Sequence, residues 1–546
     1  MLGSQEVQQF LEGLERPRSA QEECLLKRIV GPNRNCEYGR KHGFGLICSV
    51  EDYRQAVPIC QYEDLQENIE RMKSGEVGVL VSEPVRRFFL TSGSTSVPKF
   101  IPVTNAFIGD KLRAFGIYWT LLRRSHPKAL GGKRVTNLSD SSGNSSTGGG
   151  IPCSSESSFW SHWAGRMERR SPLPEEVCRI KDVNSRYYTI GRILAEENVS
   201  LMMALNPSTL VLLLDRINTF AESIIEDVER GSLAPDVPVE PEVRAYIEAN
   251  YTENPARARE LRHLLRPTSP RLLATDLWPD LSLVACWRSP MLRPYLDRLE
   301  PHLKSVAQRD YISMASEGIL AIPVEDGTSG GVLATSIHFY EFIEENQIGR
   351  AHPETLLAEQ VEVGRNYAVV LSTSAGLYRY NIGDVVRVRG FSGHTPILEF
   401  LHRSGSTCSL TGEKLTEDQV TAAVSEAATQ LHLSPQCFTL FPAPKSFPHY
   451  VLLMELASPS ESSVLKTFLH NVDRELSSQN IEYTSKRRSQ RLGPPELWLV
   501  PQGSFDGWTQ RRVAAGANHD QIKPIHLTRD PSFHTKFEIV EHISAD

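Results

Sequence analysis

A run of hydroxyl and glycine residues directly after an apolar segment is the feature that most constrains this chain. Residues 90–102 read Leu-Thr-Ser-Gly-Ser-Thr-Ser-Val-Pro-Lys-Phe-Ile-Pro and follow Phe88-Phe89. The pattern predicts a strand that enters a loop whose N–H groups and hydroxyls can hold a polyphosphate, with Lys99 supplying positive charge. It is not the P-loop of nucleotide triphosphatases, because no Gly-Lys-Ser/Thr follows. A simple connector is the alternative for such a loop considered alone.

Length and composition set the size of the protein and exclude one class of partner. The 546 residues exceed one ordinary hydrophobic core and indicate roughly two to four units. With 40% hydrophobic and 23% charged residues, the composition is that of a globular protein. The formal net charge of −7 offers no basic footprint, so we predict no nucleic-acid partner.

The cysteines and the N-terminal residues indicate a compartment. None of the nine cysteines has the CxxC spacing of a zinc or redox site, and an odd, scattered set is typical of reduced thiols in the cytosol. The chain begins Met-Leu-Gly-Ser-Gln-Glu, without the basic and apolar regions of a signal peptide, and no apolar stretch approaches a membrane span. We therefore predict a soluble, cytoplasmic protein with no membrane partner.

Helical patterns surround the loop in the N-terminal part. After the loop, Thr104 or Asn105 can cap a helix that shows an apolar stripe on one face. The residues of this predicted stripe are Ile108, Leu112, Phe115, Trp119 and Leu122. A second long helix is predicted over 206–230, with Asn206 as N-cap and Gly231 as terminator. The Ser/Gly-rich residues 139–158 are predicted to form a surface loop.

The periodicity changes to two between residues 367 and 401, which predicts several adjacent strands. Near Arg403 the sequence Arg-Ser-Gly-Ser-Thr interrupts this pattern and indicates a domain boundary. Beyond it, a helix from Glu417, strands near 438 and at 450–456, a helix at 461–477 and a strand at 496–500 predict a smaller α+β domain.

Three further motifs give the opening loop a context. They are Tyr-Ile-Ser-Met-Ala-Ser-Glu-Gly at 311–318, Tyr-Arg-Tyr-Asn-Ile-Gly-Asp-Val at 378–385 and Ser-Leu-Thr-Gly-Glu-Lys-Leu at 409–415. In this order the motifs resemble those of adenylate-forming enzymes, which include acyl-CoA synthetases, peptide-synthetase adenylation domains and luciferases. The closer resemblance is to the Gretchen Hagen acyl-acid amido synthetases, an auxin-responsive plant family with bacterial members. We interpret the chain as a bacterial member.

The resemblance extends along nearly the whole chain. Residues 38–76 are similar to the N-terminal segment of that family, and Phe-Tyr-Glu-Phe at 339–342 is similar to its Tyr-Phe-Glu-Phe. Leu-Gly-Pro-Pro-Glu-Leu-Trp at 492–498 and Gln-Ile-Lys-Pro at 521–524 resemble two C-terminal motifs. The resemblance implies an α/β fold in two parts. A large adenylation domain at 1–402 has mixed β-sheets and a β-barrel-like subdomain, and a smaller, mobile α+β lid domain covers 403–546.

The resemblance also implies an activity. The enzyme would be an ATP- and Mg²⁺-dependent ligase that adenylates a carboxylic acid, releases pyrophosphate and transfers the acyl group to an amine such as an amino acid. One alternative is a related ligase that transfers the acyl group to a thiol such as coenzyme A. The other is a catalytically silent relative that serves as a binding or scaffold protein.

Roles for individual residues follow from the same resemblance. Glu317 would be the catalytic carboxylate that binds Mg²⁺, Asp384 would bind the ribose hydroxyls, and Lys414 and Lys523 would be catalytic lysines of the smaller domain. The remaining residues would contact the nucleotide and its pyrophosphate: Thr91, Ser92, Gly93, Ser94, Thr95, Lys99, Ser316 and Arg403. Val97-Pro98 departs from the plant pattern and puts the exact loop geometry in doubt.

Overall fold

The computed structural model of the protein divides the chain into two compact units. It describes residues 4–91, 99–136, 138, 145–156, 159–160, 171–265, 271–350, 352–403, 407–411, 413, 415–443, 448–488, 492–514 and 524–544. The first unit comprises Met1–Arg288, Arg298–Ile382 and Val386–Glu399, and the second comprises Ser289–Asp297, Gly383–Val385 and Phe400–Asp546. The assignment of an adenylation domain to 1–402 and a lid domain to 403–546 stays a prediction.

Helices make up most of the first 75 residues, as the spacing of apolar residues predicts. The helices as far as residue 303 are Ser4–Glu15, Pro17–Cys24, Glu37–Lys41, Val50–Ala56, Tyr62–Lys73, Asn105–Ser125, Glu175–Cys178, Val183–Leu194, Pro207–Thr219, Ala221–Arg230, Pro241–Asn250, Pro255–Leu264, Ala274–Leu277 and Arg293–Leu303. The later helices are Glu417–Gln430, Ser462–Gln479, Ile481–Arg488 and Ser504–Ala514. Among the described residues, no helix is both long and apolar enough to cross a membrane.

The strands form five sheets among the described residues. The strands of the first half of the chain are β1 (Arg87–Thr91), β2 (Lys99–Val103), β3 (Lys133–Val135), β4 (Ser145–Ser146), β5 (Pro152–Ser154), β6 (Val199–Met203), β7 (Leu283–Ala285), β8 (Ala307–Arg309), β9 (Ser313–Ala315) and β10 (Gly318–Ile322). The others are β11 (Gly331–Leu333), β12 (Phe339–Glu344), β13 (Asn366–Ser372), β14 (Tyr380–Ser392), β15 (Thr395–Arg403), β16 (Thr407–Cys408), β17 (Leu415–Thr416), β18 (Pro435–Pro442), β19 (Tyr450–Leu456), β20 (Glu496–Val500) and β21 (Glu541–Ser544).

The opening loop joins two antiparallel strands. β1 pairs with β2, and the sheet order is β2-β1-β5-β4. The sequence predicted a helix from Thr104 or Asn105 onward, and the structure adds that residues 99–103 before it form a strand. Pro102 lies in β2 at the edge of the sheet, where the missing N–H of proline is tolerated. The side chain of Thr104 then caps the next helix by accepting a hydrogen bond from the N–H of Phe107 at 3.2 Å.

A four-stranded parallel sheet, β3-β6-β7-β8, lies among the helices of the first unit. The single helix predicted over 206–230 is wrong, because the chain leaves helical geometry at Phe220 (φ −105°, ψ 18°). The ring of Phe220 packs against Tyr188 with 5.4 Å between centroids. Both predicted ends are confirmed, since Asn206 caps the first helix and Gly231 adopts φ +66° after the second.

The seven-stranded sheet of order β12-β13-β14-β15-β11-β10-β9 contains the strands that the two-residue periodicity predicts. The β-barrel-like form of the predicted subdomain stays a prediction. Residues of this sheet share one core with the N-terminal helices and the β1–β2 hairpin. β9 is an edge strand, and it joins β10 through a turn at residues 316–317. Ser316 and Glu317, from the motif at 311–318, therefore lie at the edge of the sheet.

The second unit is an α+β arrangement, as predicted. Its sheet has the order β18-β19-β20-β21, and β19 pairs with β20 in parallel. The helices Glu417–Gln430 and Ser462–Gln479 bury their apolar faces in one core with residues of this sheet. A smaller cluster around Phe441, Trp498 and Phe533 forms a second core in the same unit. The pair β16–β17 encloses residues 409–414, which are the third motif.

Candidate active site

The base of the β1–β2 hairpin carries the described part of the predicted phosphate loop. Thr91, the last residue of β1, is paired with Lys99, the first residue of β2. The Tyr62 hydroxyl accepts a hydrogen bond from the N–H of Phe100 at 2.9 Å, and Lys99 Nζ lies 5.3 Å from the centroid of the Tyr62 ring. These contacts fix β2 and hold the Lys99 ammonium group near the start of this strand. The remaining predicted loop residues lie outside the described part of the chain: Ser92, Gly93, Ser94 and Thr95.

Ser316 and Glu317 form a two-residue turn between β9 and β10. Ala315 is paired with Gly318, so these two residues alone connect the strands. Ser316 is partly exposed, whereas only 3% of Glu317 is exposed. Proteins retain a carboxylate at this depth when it is paired or binds a metal ion. A buried carboxylate in a short, well-defined turn suits the role that the resemblance implies for Glu317.

His338 fixes one side of this turn by packing. It is fully buried, and its ring stacks on Phe107 with 5.9 Å between centroids. A Cβ atom at position 318 would lie 3.0 Å from the His338 ring, so Gly318 allows the turn to approach this closely. Burial lowers the pKa of His338 well below its ordinary value, and the nearby cations Lys111 and Arg28 lower it further. The imidazole is therefore neutral, and it restrains the turn through van der Waals packing.

Lys111 holds the other side of the turn by charge. Its side chain is completely buried, and Nζ donates hydrogen bonds to Glu156 Oε1 at 2.5 Å and to the carbonyl of Ala315 at 2.9 Å. Glu156 Oε1 also accepts a hydrogen bond from Trp160 Nε1 at 2.9 Å. The ion pair therefore joins a helix, the segment after β5 and the residue that precedes the Ser316-Glu317 turn.

Asp110, next to Lys111, ties the same helix to two other segments. Its carboxylate pairs with Arg28 and accepts hydrogen bonds from Arg113 Nη2 at 2.7 Å and from Ser374 Oγ at 2.6 Å. Burial raises the pKa of Asp110 to about 6, although Arg28 and Ser374 oppose the shift. Arg28 also donates to the carbonyl of Ser336 at 2.7 Å. The helix Asn105–Ser125 is thus bonded through Asp110 to Ser374, which follows β13. Through Arg28 it is also linked to Ser336, which precedes β12.

Asp384 and Arg403 are brought together within the second unit. Arg403 Nε donates a hydrogen bond to Asp384 Oδ1 at 3.0 Å. The Asp384 side chain is 8% exposed and that of Arg403 is 36% exposed. An ionised carboxylate is an acceptor with several lone pairs, so Asp384 can keep this contact and also accept bonds from two vicinal hydroxyls. This pair fits the ribose-binding role that the sequence predicts for Asp384.

The loop between β16 and β17 is organised around Glu413. Its carboxylate accepts hydrogen bonds from the N–H groups of Leu410 at 2.7 Å and Thr411 at 2.8 Å, and from the hydroxyl of Tyr450. Burial favours a higher pKa for Glu413, but these bonds outweigh it and hold the pKa below its ordinary value. The two lysines that the sequence assigns to catalysis in this part, Lys414 and Lys523, lie outside the described residues.

Arg379, within the Tyr-Arg-Tyr motif, anchors that motif to the N-terminal helices. It adopts φ +48°, and its guanidinium donates to both oxygens of Glu341, at 2.7 and 2.8 Å. It also donates to the carbonyls of Arg54 at 2.9 Å and Val57 at 2.8 Å. The Glu341 side chain is 1% exposed and also accepts a bond from Thr355 Oγ1 at 2.6 Å. This buried network gives Arg379, the central residue of the motif, a structural role in the fold.

Glu317 supplies the type of donor that a Mg²⁺ site uses. Within the described ranges, no group of three or more His, Cys, Asp or Glu side chains is arranged to hold a metal ion. Mg²⁺ usually keeps waters and is bound through one or two carboxylates together with substrate phosphates. Glu317 is a carboxylate of the kind such a site requires, so the residues present fit the metal that the resemblance implies.

The prediction missed Lys111 because it searched for apolar stripes. Of the predicted stripe, only Leu122 is fully buried, and the other four residues are partly exposed. The deeply buried face carries Phe107, Lys111, Ala114, Tyr118 and Leu122. These residues also recur at helical spacing, so a search that allowed one charged residue in the stripe finds this face.

Comparison with known proteins identifies the family. A model of the GH3 family N-terminal domain matches residues 6–307, which is more than half of the chain. Models of the GH3 family central domain and the GH3 family C-terminal domain match residues 331–403 and 418–532. The chain therefore belongs to the GH3 family, and the predicted resemblance to the Gretchen Hagen amido synthetases is confirmed. Its interpretation as a bacterial member stays a prediction.

Two plant relatives illustrate the similarity over the whole length. The chain is 26% identical over 545 residues to a jasmonoyl–L-amino acid synthetase, GH3.5, of Oryza sativa subsp. japonica, covering 94% of this chain and 92% of the relative. It is 25% identical to an indole-3-acetic acid-amido synthetase, GH3.4, of Arabidopsis thaliana, covering 94% and 90%.

A solved structure shares the fold. The GH3.15 acyl acid amido synthetase has 20% sequence identity to this chain and a TM-score of 0.85, with 98% of this chain and 96% of that chain covered. The prediction of a mixed α/β fold with a larger N-terminal and a smaller C-terminal part is confirmed.

Proposed function

We propose that this protein is an ATP-dependent acyl-acid amido synthetase. The observation that carries the proposal is the full-length match, in which N-terminal, central and C-terminal GH3 domains follow one another in a single chain. The two relatives, aligned over 94% of this chain, are named as a jasmonoyl–L-amino acid synthetase and an indole-3-acetic acid-amido synthetase, which confirms the prediction of an amide-forming ligase. The nine scattered cysteines are typical of reduced thiols, which supports a cytoplasmic location.

The reaction proceeds in two steps. In the first, a carboxylate oxygen of the acid attacks the α-phosphorus of ATP, the bond to the bridging oxygen breaks and pyrophosphate leaves. In the second, an amine attacks the acyl carbon, loses a proton and displaces AMP, so that an amide forms. Negative charge grows on the leaving pyrophosphate in the first step, and cations and N–H donors placed there stabilise the transition state.

Each predicted residue takes a role in this scheme. Glu317 would bind Mg²⁺, which when bound would offset negative charge on the phosphates. Lys99 and the loop residues Thr91, Ser92, Gly93, Ser94 and Thr95 would stabilise the pyrophosphate, and Ser316 would contact the α-phosphate or the adenine. Asp384 would bind the ribose, Arg403 would orient Asp384, and Lys414 and Lys523 would supply positive charge during transfer.

The function is tested by ATP–pyrophosphate exchange. The protein is incubated with ATP, Mg²⁺, labelled pyrophosphate and each of a panel of indolyl, aryl and fatty acids, and we expect acid-dependent incorporation of label into ATP. Absence of exchange with every acid would favour the silent relative. Where exchange occurs, mass spectrometry of reactions with amino acids and with coenzyme A distinguishes an amide product from a thioester.

Asp384→Asn is expected to raise the KM for ATP about 10- to 100-fold, because hydrogen bonds from hydroxyls to a charged acceptor are lost. Folding should change little, since the partner Arg403 is partly exposed and can turn to solvent. Asp473→Asn is the matched control, because Asp473 forms an ion pair with Arg487 at 2.6 Å elsewhere in the second unit. An unchanged KM for ATP in Asp384→Asn would remove Asp384 from the nucleotide site.

A further inference from the structure

We propose that the buried Lys111–Glu156 ion pair positions the Glu317 turn for adenylation, which makes Lys111 and Glu156 positioning residues for the reaction. The inference rests on the proposed function, in which Glu317 binds the metal of the ATP complex.

The contacts of Lys111 lead directly to the turn. Its ammonium group has three N–H donors, and two of them reach Glu156 Oε1 at 2.5 Å and the carbonyl of Ala315 at 2.9 Å. Ala315 ends β9 and is followed by Ser316 and Glu317. A shift of the Ala315 carbonyl therefore moves the backbone that carries Glu317.

The position of β9 in the sheet explains why such a contact is needed. Among the described residues β9 is an edge strand, and no described strand bonds the polar groups on one side of it. Lys111 supplies a charged donor to the last carbonyl of this strand, and His338 packs against Gly318 at the other end of the turn. The turn is thus fixed at both ends, by a hydrogen bond before it and by a ring after it.

The ion pair also connects the turn to the β1–β2 hairpin. Lys111 lies on the helix Asn105–Ser125, which begins after β2 and is capped by Thr104. Residues 92–98 of the predicted phosphate loop lie between β1 and β2. The segment 99–111 therefore runs from the start of β2 to the contact with the Glu317 turn.

Stability alone does not account for this pair. Removing two charges from water carries a large desolvation penalty, and well-packed apolar replacements of buried ion pairs are often neutral or stabilising. A positioning role explains the buried pair better, because a misplacement of about 1 Å at a reacting centre can lower the rate about 100-fold. Glu156 is itself oriented by Trp160 Nε1 at 2.9 Å, as a positioning group must be.

The test removes both charges together. In Lys111→Met with Glu156→Gln, the side-chain sizes are nearly kept and no uncompensated charge is left in the core, so we expect the melting temperature to be unchanged or raised. Exchange kcat should fall about 10- to 100-fold, and the Mg²⁺ concentration for half-maximal rate should rise. The KM of the acid should not change.

A second readout needs no turnover. ATP with Mg²⁺ should raise the melting temperature of the wild-type protein more than ATP with a chelator does, and this Mg²⁺-dependent increment should shrink in the double variant. Arg192→Met with Glu196→Gln is the matched control, because Arg192, on the helix Val183–Leu194, and Glu196, just after that helix, form another buried ion pair of the first unit. We expect the control to keep the wild-type values in both measurements.

The outcomes separate this inference from the proposed function. Wild-type exchange and Mg²⁺ dependence in a folded double variant would overturn the positioning role, and so would a lower rate with unchanged Mg²⁺ dependence. Absence of exchange in the wild-type protein would overturn the function instead. If the double variant does not fold, Trp160→Phe decides, since it removes the hydrogen bond that orients Glu156 while both charges stay paired, and the same shifts are expected to a smaller extent.

Discussion

Glu317→Gln is expected to lower acid-dependent ATP–pyrophosphate exchange by about 100- to 1,000-fold, the loss that follows removal of one preorganised charged or polar contact at a transition state. Glutamine keeps the size and shape of the side chain but removes its charge. Because only 3% of Glu317 is exposed, a side chain on the surface cannot take over the role of its carboxylate. Another carboxylate could do so only by entering the turn. The measurement is the exchange rate at several Mg²⁺ concentrations, with ATP and acid saturating.

The control for this variant is Glu325→Gln. Glu325 lies in the connection after β10 and is exposed, so its neutralisation should leave exchange unchanged. A Glu317→Gln protein that folds and exchanges at the wild-type rate would remove Glu317 from catalysis. A lower rate that excess Mg²⁺ restores would support its role in binding the metal.

Glu341→Ala is expected to destabilise the protein by about 3–5 kcal/mol, because it leaves the Arg379 guanidinium buried without its counter-charge. Both Arg379 contacts to Glu341 are shorter than 3 Å, and the two side chains are 8% and 1% exposed. Arg379 cannot easily turn to solvent, since the carbonyls of Arg54 and Val57 also hold it. The measurement is a denaturant titration, which gives the free energy of the unfolding transition that includes the first unit.

Glu344→Ala tests whether this loss is specific to the buried pair. Glu344 lies on the same strand, β12, but its partner Arg365 is 55% exposed, and such surface pairs contribute about 0–1 kcal/mol. Equal destabilisation by the two substitutions would show that the strand itself, and not the Arg379–Glu341 pair, is sensitive. In that case Arg379 would not anchor the Tyr-Arg-Tyr motif through Glu341.

The sequence predicted the local elements where the chain carries its own start and stop signals. Thr104 caps the helix that follows the β1–β2 hairpin, and Gly231 ends the helix at 221–230. The break at Phe220 was missed because no glycine or proline marks it, and a contact with Tyr188, distant in sequence, accompanies it. Local signals reveal local geometry, whereas a helix break beside a tertiary contact carries no local signal.

The sequence by itself determined the family, the order of the motifs and the chemistry that Glu317 and Asp384 suit, because these depend on residue types at fixed spacing. Only the tertiary structure decided that Lys111, paired with Glu156, and His338 contact the two ends of the Glu317 turn. These three residues come from segments far apart in the chain, and a charged side chain can be buried only where folding brings it a partner. That partner is set by packing, which spacing along the sequence does not encode.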